Sequence, residues 1–204
     1  MKKVSPEPLS KNFYIGKGDG VLRRSKEIRE KAEKILRDSG LIEELAKYGE
    51  VHPIGSFRMD IMAWNDIDID VRNDGMNPEK LYALTKYVLE TFRPVWYEAK
   101  EEITGEGKSV WFHGWEAIID GERWNFDIWF FDEETIAKAE AFCDGVAAKL
   151  AANPTKKAIA AQIKRDLIAA GKYSFEQFCS MDVYRAVLEL GMTSAEEMIR
   201  DYRK

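Results

Sequence analysis

Ile54-Gly55-Ser56, then nine residues, then Asp66-Ile67-Asp68-Ile69-Asp70: this stretch decides the fold. Alternate side chains of a strand point to the same face. Asp66, Asp68 and Asp70 therefore project together, while Ile67, Ile69 and Val71 project into a core. Clustered carboxylates repel one another and resist burial unless a cation or a proton compensates them. Mg²⁺ is the usual cation for such an all-oxygen site, bound through one or two carboxylates and the phosphates of a substrate. The pattern points to a metal and a phosphorylated substrate together.

Working outward, Val51-His52-Pro53-Ile54 reads as a short strand running into the Gly-Ser turn, with a turn or helix over Phe57–Trp64 returning the chain to the acidic strand. Upstream, Val21, Ile28, Ala32 and Ile35 share one face of a charged amphipathic helix over Asp19–Arg37. Gly40 ends it and a short helix over Leu41–Tyr48 follows, while Pro6, Pro8, Gly16 and Gly18 make residues 1–18 an irregular arm. Downstream, Asn77-Pro78 pairs an N-cap with a first-position proline and opens a helix that runs to about Phe92. Three strands come next, over Val95–Ile103, Val110–Ile119 and Arg123–Phe131, the last two joined at the hairpin signal Asp120-Gly121. The final strand sends Trp124, Phe126, Ile128 and Phe130 to one side and Asn125, Asp127 and Trp129 to the other, so Asp127 interrupts an apolar strand.

From Glu133 the chain reads as helical to its end, broken at Asn153-Pro154. Ser174-x-x-Gln177 and Thr193-x-x-Glu196 match the capping-box pattern, and Gly171 and Gly191 suit C-terminal caps. The expected organisation is an N-terminal arm and helices over 1–48, a catalytic core over 49–132 and a C-terminal helical domain over 133–204.

At this point Ile54-Gly55-Ser56-x9-Asp66-Ile67-Asp68-Ile69, with a later lone acid on a strand at Asp127, resembles the DNA polymerase β-like nucleotidyltransferase superfamily. Asn65-Asp66-Ile67-Asp68-Ile69 is similar to its Ser-Asp-Ile-Asp-Leu phrase. The resemblance covers roughly residues 50–131. It implies an α/β (α+β) fold with a small mixed sheet flanked by helices. It also implies an enzyme that moves a nucleotidyl group, AMP being common, from ATP or another nucleoside triphosphate to an acceptor hydroxyl. Asp66, Asp68 and Asp127 would hold two Mg²⁺ ions, with Mn²⁺ able to substitute, and Asp127 would orient or deprotonate the acceptor. Gly55 and Ser56 would hold the triphosphate. On the residues' own chemistry, Arg58, Lys157 and Lys164 are candidate cationic partners for it.

The residues support those roles on their own terms. Two metals can flank an in-line displacement at phosphorus. Gly55 lets backbone approach phosphate oxygens, and Ser56 adds a hydroxyl donor. The ligand register stays open between Asp66/Asp68 and Asp68/Asp70. One departure is notable: many relatives carry a further glycine after the Gly-Ser pair, whereas Phe57-Arg58-Met59-Asp60 stands here. Asp60 adds negative charge near the expected phosphate site, and Arg58 is placed to offset it.

Other chemistries fit less well. Asp-x-Asp-x-Asp also begins a calcium-binding EF-hand loop, but its sixth and twelfth positions here are Val71 and Asn77 rather than Gly and Glu. Two histidines and two cysteines, Cys143 and Cys179, make neither a zinc motif nor a disulfide framework. Both cysteines read as small buried hydrophobes, and His113 as a satisfied half-buried residue. A P-loop lysine pattern is absent. Trp111, Trp115, Trp124 and Trp129 read either as core packing or as a platform for a base or an aromatic acceptor. The Lys156, Lys157, Lys164 and Arg165 stretch reads either as a solvated helix face or as a triphosphate contact.

The 204 residues suit one domain or two small ones, with 45% hydrophobic and 33% charged residues. A net charge of −5 weighs against a dedicated nucleic-acid binder and favours a small-molecule or protein acceptor over nucleic acid. No apolar run follows Met1-Lys2-Lys3 and no stretch is long enough for a membrane span, so a cytoplasmic protein without membrane partners is expected. The alternative to an enzyme is a binding protein that keeps this fold with weak chemistry, such as an antitoxin-like or regulatory partner.

Overall fold

The structure, a computed structural model, describes residues 19–202; the arm expected over 1–18 lies outside them. Helices α1 (Asp19–Ser39) and α2 (Leu41–Leu45) lead into strand β1 (Val51–Pro53), the single turn α3 (Gly55–Arg58) and strand β2 (Asp66–Arg72). Helix α4 (Pro78–Phe92) then precedes β3 (Trp96–Ile103), β4 (Ser109–Ile119) and β5 (Glu122–Phe131). Four helices follow, α5 (Glu133–Ala151), α6 (Pro154–Ala169), α7 (Ser180–Leu188) and α8 (Ala195–Asp201).

Local chemistry sets most boundaries. The side-chain oxygens of Asn77, Asp132 and Asn153 accept from the backbone amides of Lys80, Thr135 and Lys156 and cap α4, α5 and α6. Asp120 and Gly121 both adopt positive φ, 51° and 80°, as a two-residue hairpin between β4 and β5 requires.

The strands form one five-stranded sheet in the order β1-β2-β5-β4-β3. Only β2 and β5 run parallel, so the sheet is mixed. One face is apolar. Ile67, Ile69 and Val71 on β2, Trp111 and Trp115 on β4, and Trp124, Phe126, Ile128 and Phe130 on β5 pack there beneath α1, α2 and α4. Trp115 stacks on Phe126 at 4.7 Å, and Phe92 of α4 closes over both. Each such side chain contributes about 1.5–3 kcal/mol on burial. A second core joins α5, α6, α7 and α8 around Leu150, Ile163, Leu167 and Val183, with Val21 of α1 entering it. Helix α1 thus packs against both cores, with Ile28, Ala32 and Ile35 on the sheet side.

Several local expectations shift. Helix α2 is a single turn that ends before Tyr48. The turn after Gly-Ser begins at Gly55 itself and stops where Asp60 takes a positive φ of 53°. Ser174 accepts from the Gln177 amide as its pattern requires, yet no helix follows. Phe178 is buried and its carbonyl accepts from the Ser174 amide, which closes a turn instead, and α7 starts at Ser180. Ser194, not Thr193, caps α8. Cys143 is buried, whereas Cys179 sits half-exposed at the start of α7.

Candidate active site

The sheet register arranges the second, polar face in rows. Parallel pairing sets Asp66 beside Asn125, Asp68 beside Asp127 and Asp70 beside Trp129. Antiparallel pairing continues the rows to Glu116, Gly114 and Phe112 on β4, then to Trp96, Glu98 and Lys100 on β3. Helices α3 and α5 lie on β2 at one side of this face.

One carboxylate oxygen from each of Asp66, Asp68 and Asp127 lies within 4.8 Å of the other two, and all three residues are half-buried. Three anions that close suit one or two hard cations. Asp70 does not join them. It is 2% exposed, pairs in register with His52, and has an orphaned buried oxygen. Burial pushes its carboxyl up to about 7, with His52 opposing the shift and Glu140 adding to it.

Gly55 is fixed by geometry. Its φ is +62°, and a Cβ there would stand 2.2 Å from Asp68 Oδ2. The following hydroxyl, Ser56 Oγ, is buried and has no hydrogen-bond partner among the described residues. A small cradle therefore abuts the carboxylates and offers a donor with nothing to receive it.

The three basic residues expected at the phosphates separate. Arg58 turns to α5, donating from Nε and Nη2 to the Asp144 carboxylate at 2.7 and 2.9 Å and from Nη1 to Glu140 Oε1 at 2.6 Å. The bond to Asp144 leads the influences that hold its guanidinium charge above the ordinary range. Lys157 pairs with Asp60 at 2.5 Å, and Arg29 adds a second cation at 3.8 Å. The negative charge of Asp60 is thus offset by Lys157 and Arg29 rather than by Arg58. Lys164 alone of the three is buried, its Nζ 3.3 Å from the Tyr184 hydroxyl and near enough to Asp66 to feel its charge. Burial works against its charge, but Tyr173, Tyr184 and Asp66 outweigh that and raise its pKa. Burial, opposed by Lys164, pushes the neighbouring Tyr173 hydroxyl up to about 12.

Asn125 was not singled out from sequence. Its Nδ2 donates to Asp66 Oδ1 at 2.6 Å, and its own Oδ1 is buried without a partner. The signal was its place two residues before Asp127 on the same strand face. His113 lies on the opposite, apolar face under α4, wholly buried, and burial lowers its pKa to about 4. Of the tryptophans, Trp111, Trp115 and Trp124 are core, while Trp129 sits on the polar face and stays partly exposed. Two surface hollows, one bordered by Tyr48, Arg72 and Lys80 and the other by Arg29, Asp60 and Lys157, contain none of the triad.

Sheet order, the parallel β2–β5 pair and the flanking helices make a mixed α/β fold that the chain shares with solved nucleotide polymerases. Among solved structures the chain is similar to Cid1 poly(U) polymerase with Mg and 3′-dATP bound, at TM-score 0.52 and 16% identity, over 83% of this chain and 54% of that one. It is similar also to a cytoplasmic RNA terminal U-transferase (TM-score 0.50, 16% identity, 83% and 53% covered). A third is the non-canonical poly(A) polymerase complex GLD-2–GLD-3 (TM-score 0.50, 10% identity, 87% and 61% covered). At such identities the likeness is one of fold, and the chain spans about half to three-fifths of the length of these structures. No protein-family model matches the chain, and no curated protein matches it by sequence.

Proposed function

We propose that the protein is a metal-dependent nucleotidyltransferase that moves a nucleoside monophosphate, with ATP as the first donor to test, onto an acceptor hydroxyl. The observation that carries this reading is the convergence of Asp66, Asp68 and Asp127 within 4.8 Å beside a glycine cradle. The donor set suits divalent cations and a polyphosphate: hard oxygens on one side, the orphaned Ser56 hydroxyl on the other.

Asp66 and Asp68 would hold both ions, and Asp127 would complete the nearer one. When bound, the ions supply positive charge to the attacking and leaving oxygens of an in-line displacement. Gly55 and Ser56 receive the triphosphate, and Lys164 brings the remaining buried positive charge toward it. Asp127 orients the acceptor hydroxyl and takes its proton as the oxygen bonds to the α-phosphorus. The bond from that phosphorus to the bridging oxygen breaks, and pyrophosphate leaves. Arg58 and Lys157 serve in this reading as clamps on the α3 segment, since both are engaged with acids.

Charge guides the choice of acceptor. A net −5 and an acidic outer strand favour a small molecule or a protein side chain over RNA, although RNA is named for one of the solved relatives. The rival reading, a binding protein with weak chemistry, rests on the short chain and on Asp60 near the phosphate site; Asp60 is paired with Lys157 and Arg29. Among the described residues no helix is long and apolar enough to cross a membrane.

The test is a screen of the four radiolabelled triphosphates with Mg²⁺ or Mn²⁺ and mixed acceptors, including RNA. A labelled adduct and pyrophosphate should form with wild type and be lost with Asp66→Ala and Asp68→Ala. Release that survives both substitutions would remove the catalytic assignment. Triphosphate cleavage without any adduct would indicate hydrolysis instead.

A further inference from the structure

The polar face does not end at the carboxylates. Two residues beyond Asp127, about 7 Å along the strand, stands Trp129. Its ring stacks on Phe131 at 5.3 Å with an interplanar angle of 7°, and meets Phe112 at 4.5 Å. Gly114, the cross-strand neighbour of Asp127, leaves room for aromatic rings: a Cβ would stand 2.5 Å from Phe112 and 3.2 Å from the Trp96 ring, so a larger residue would force those rings to shift. The glycine therefore lets two aromatic rings lie over the strand beside the carboxylate. The result is an aromatic shelf of Trp96, Trp129 and Phe131 beside the triad, with Phe112, 5% exposed, as the buried ring between Trp96 and Trp129. Trp111, Trp115 and Trp124 are closed into the core at 6%, 0% and 1% exposure, while Trp96, Trp129 and Phe131 remain partly open.

The shelf is bordered by acid. On β3, Lys100 is held between Glu98 and Glu102 at 2.8 and 2.6 Å, which leaves one surplus negative charge. Nearby Lys108 and Arg123 are themselves paired, with Asp132 and Glu116. A phosphate backbone needs cations along its path, and here they are answered by acids. Stacking on open indole rings suits any flat apolar ring.

We propose that this shelf seats the acceptor, and that the acceptor is a hydroxyl-bearing small molecule with a flat ring and no negative charge. The proposal rests on the nucleotidyl-transfer reading and names the acceptor class for that site. A ring set between Trp129 and Trp96, which flank the Asp127–Gly114 row on either side, brings its hydroxyl to Asp127, while the triphosphate enters from the Gly55-Ser56 side.

Fluorine NMR of protein labelled with fluorotryptophan tests it. The Trp129 and Trp96 signals are assigned with Trp129→Phe and Trp96→Phe. Three probes are titrated: tyramine, 4-hydroxybenzoate and a uridine decanucleotide. Tyramine should shift both signals saturably, the anionic ring and the RNA should not, and Trp129→Ala should weaken tyramine about tenfold or more. Trp129→Phe keeps a ring and should retain most of the affinity. The double variant Glu98→Lys/Glu102→Lys, which leaves the shelf intact, should turn the preference toward 4-hydroxybenzoate. Silence of both signals with tyramine overturns the proposal, as does a response to the RNA at lower concentration than to tyramine. Binding of Mg²⁺ with α,β-methylene-ATP is measured on the same sample by calorimetry. If the analogue binds and the shelf is silent, only the acceptor proposal fails. If tyramine shifts Trp129 but the analogue does not bind, the nucleotidyl-transfer reading fails, and the acceptor role with it.

Discussion

Asn125 holds Asp66 through a 2.6 Å hydrogen bond from its amide, side by side across the parallel β2–β5 pair. That bond occupies Asp66 Oδ1 and leaves the carboxylate fixed in orientation. Replacing Asn125 with Leu removes the donor without adding charge. The expected result is a triad that binds Mg²⁺ about 10–100-fold more weakly, as for other residues that orient metal ligands. Pyrophosphate release measured across a Mg²⁺ titration reads this. An unchanged half-saturation would mean that Asn125 serves the sheet alone.

Gly55→Ala puts a methyl group 2.2 Å from Asp68 Oδ2 at a φ of +62°. Backbone strain alone costs about 1–2 kcal/mol, and the clash must also displace Asp68. Urea denaturation should show that loss, and transfer activity should fall much further than stability does.

Mutual repulsion within the triad should weaken the metal-free fold. Asp68→Asn should therefore raise stability in chelator by about 1 kcal/mol, the scale of two charges 4 Å apart in water. Mg²⁺ or Mn²⁺ should raise the melting temperature of wild type and have little effect on this variant. Thermal scans with and without metal check both halves of the expectation.

Asp70 makes stability depend on pH. Its folded pKa of about 7 stands above the ordinary 3.8 because burial disfavours the anion. Between about pH 4 and 7 the folded state binds this proton more tightly than the unfolded chain does. Stability from this group thus falls as pH rises through that window and is lowest above pH 7, by at most ~4 kcal/mol. Asp70→Asn should flatten the slope and stabilise the protein at pH 8. Urea unfolding in chelator at pH 5 and pH 8 measures it.

Arg58 ties α3 to α5 through three charge-assisted hydrogen bonds. Arg58→Ala leaves Asp144 without its partner and Glu140 beside His52 and Asp70 without that cation. A loss of about 1–2 kcal/mol is expected, between the values for exposed and buried ion pairs. It should shrink at low pH as the acids take up protons.

Much of this was legible in the chain. Period-two alternation placed Ile67, Ile69, Trp124, Phe126, Ile128 and Phe130 in the core, where all are buried. Asn77-Pro78 and Asp120-Gly121 set a helix start and a hairpin because both act within a few residues. The same locality failed at Ser174, whose cap bond forms while the buried Phe178 closes a turn in place of a helix. Cationic partners were the hardest to read. Long side chains reach whichever acid the packing brings near, and so Arg58 and Lys157 found Asp144 and Asp60.

The sequence by itself determined which residues face a core and which face water, and it put three acids on one side of β2 and Asp127 on the matching side of β5. Tertiary structure alone decided that Asp127 lands beside Asp68 and that Asp70, between His52 and Trp129 in the sheet, is buried outside the triad. The physical reason is that alternation fixes a side chain's face from its own strand. Register between strands 59 residues apart, as for Asp68 and Asp127, depends on how the intervening helix and hairpin pack.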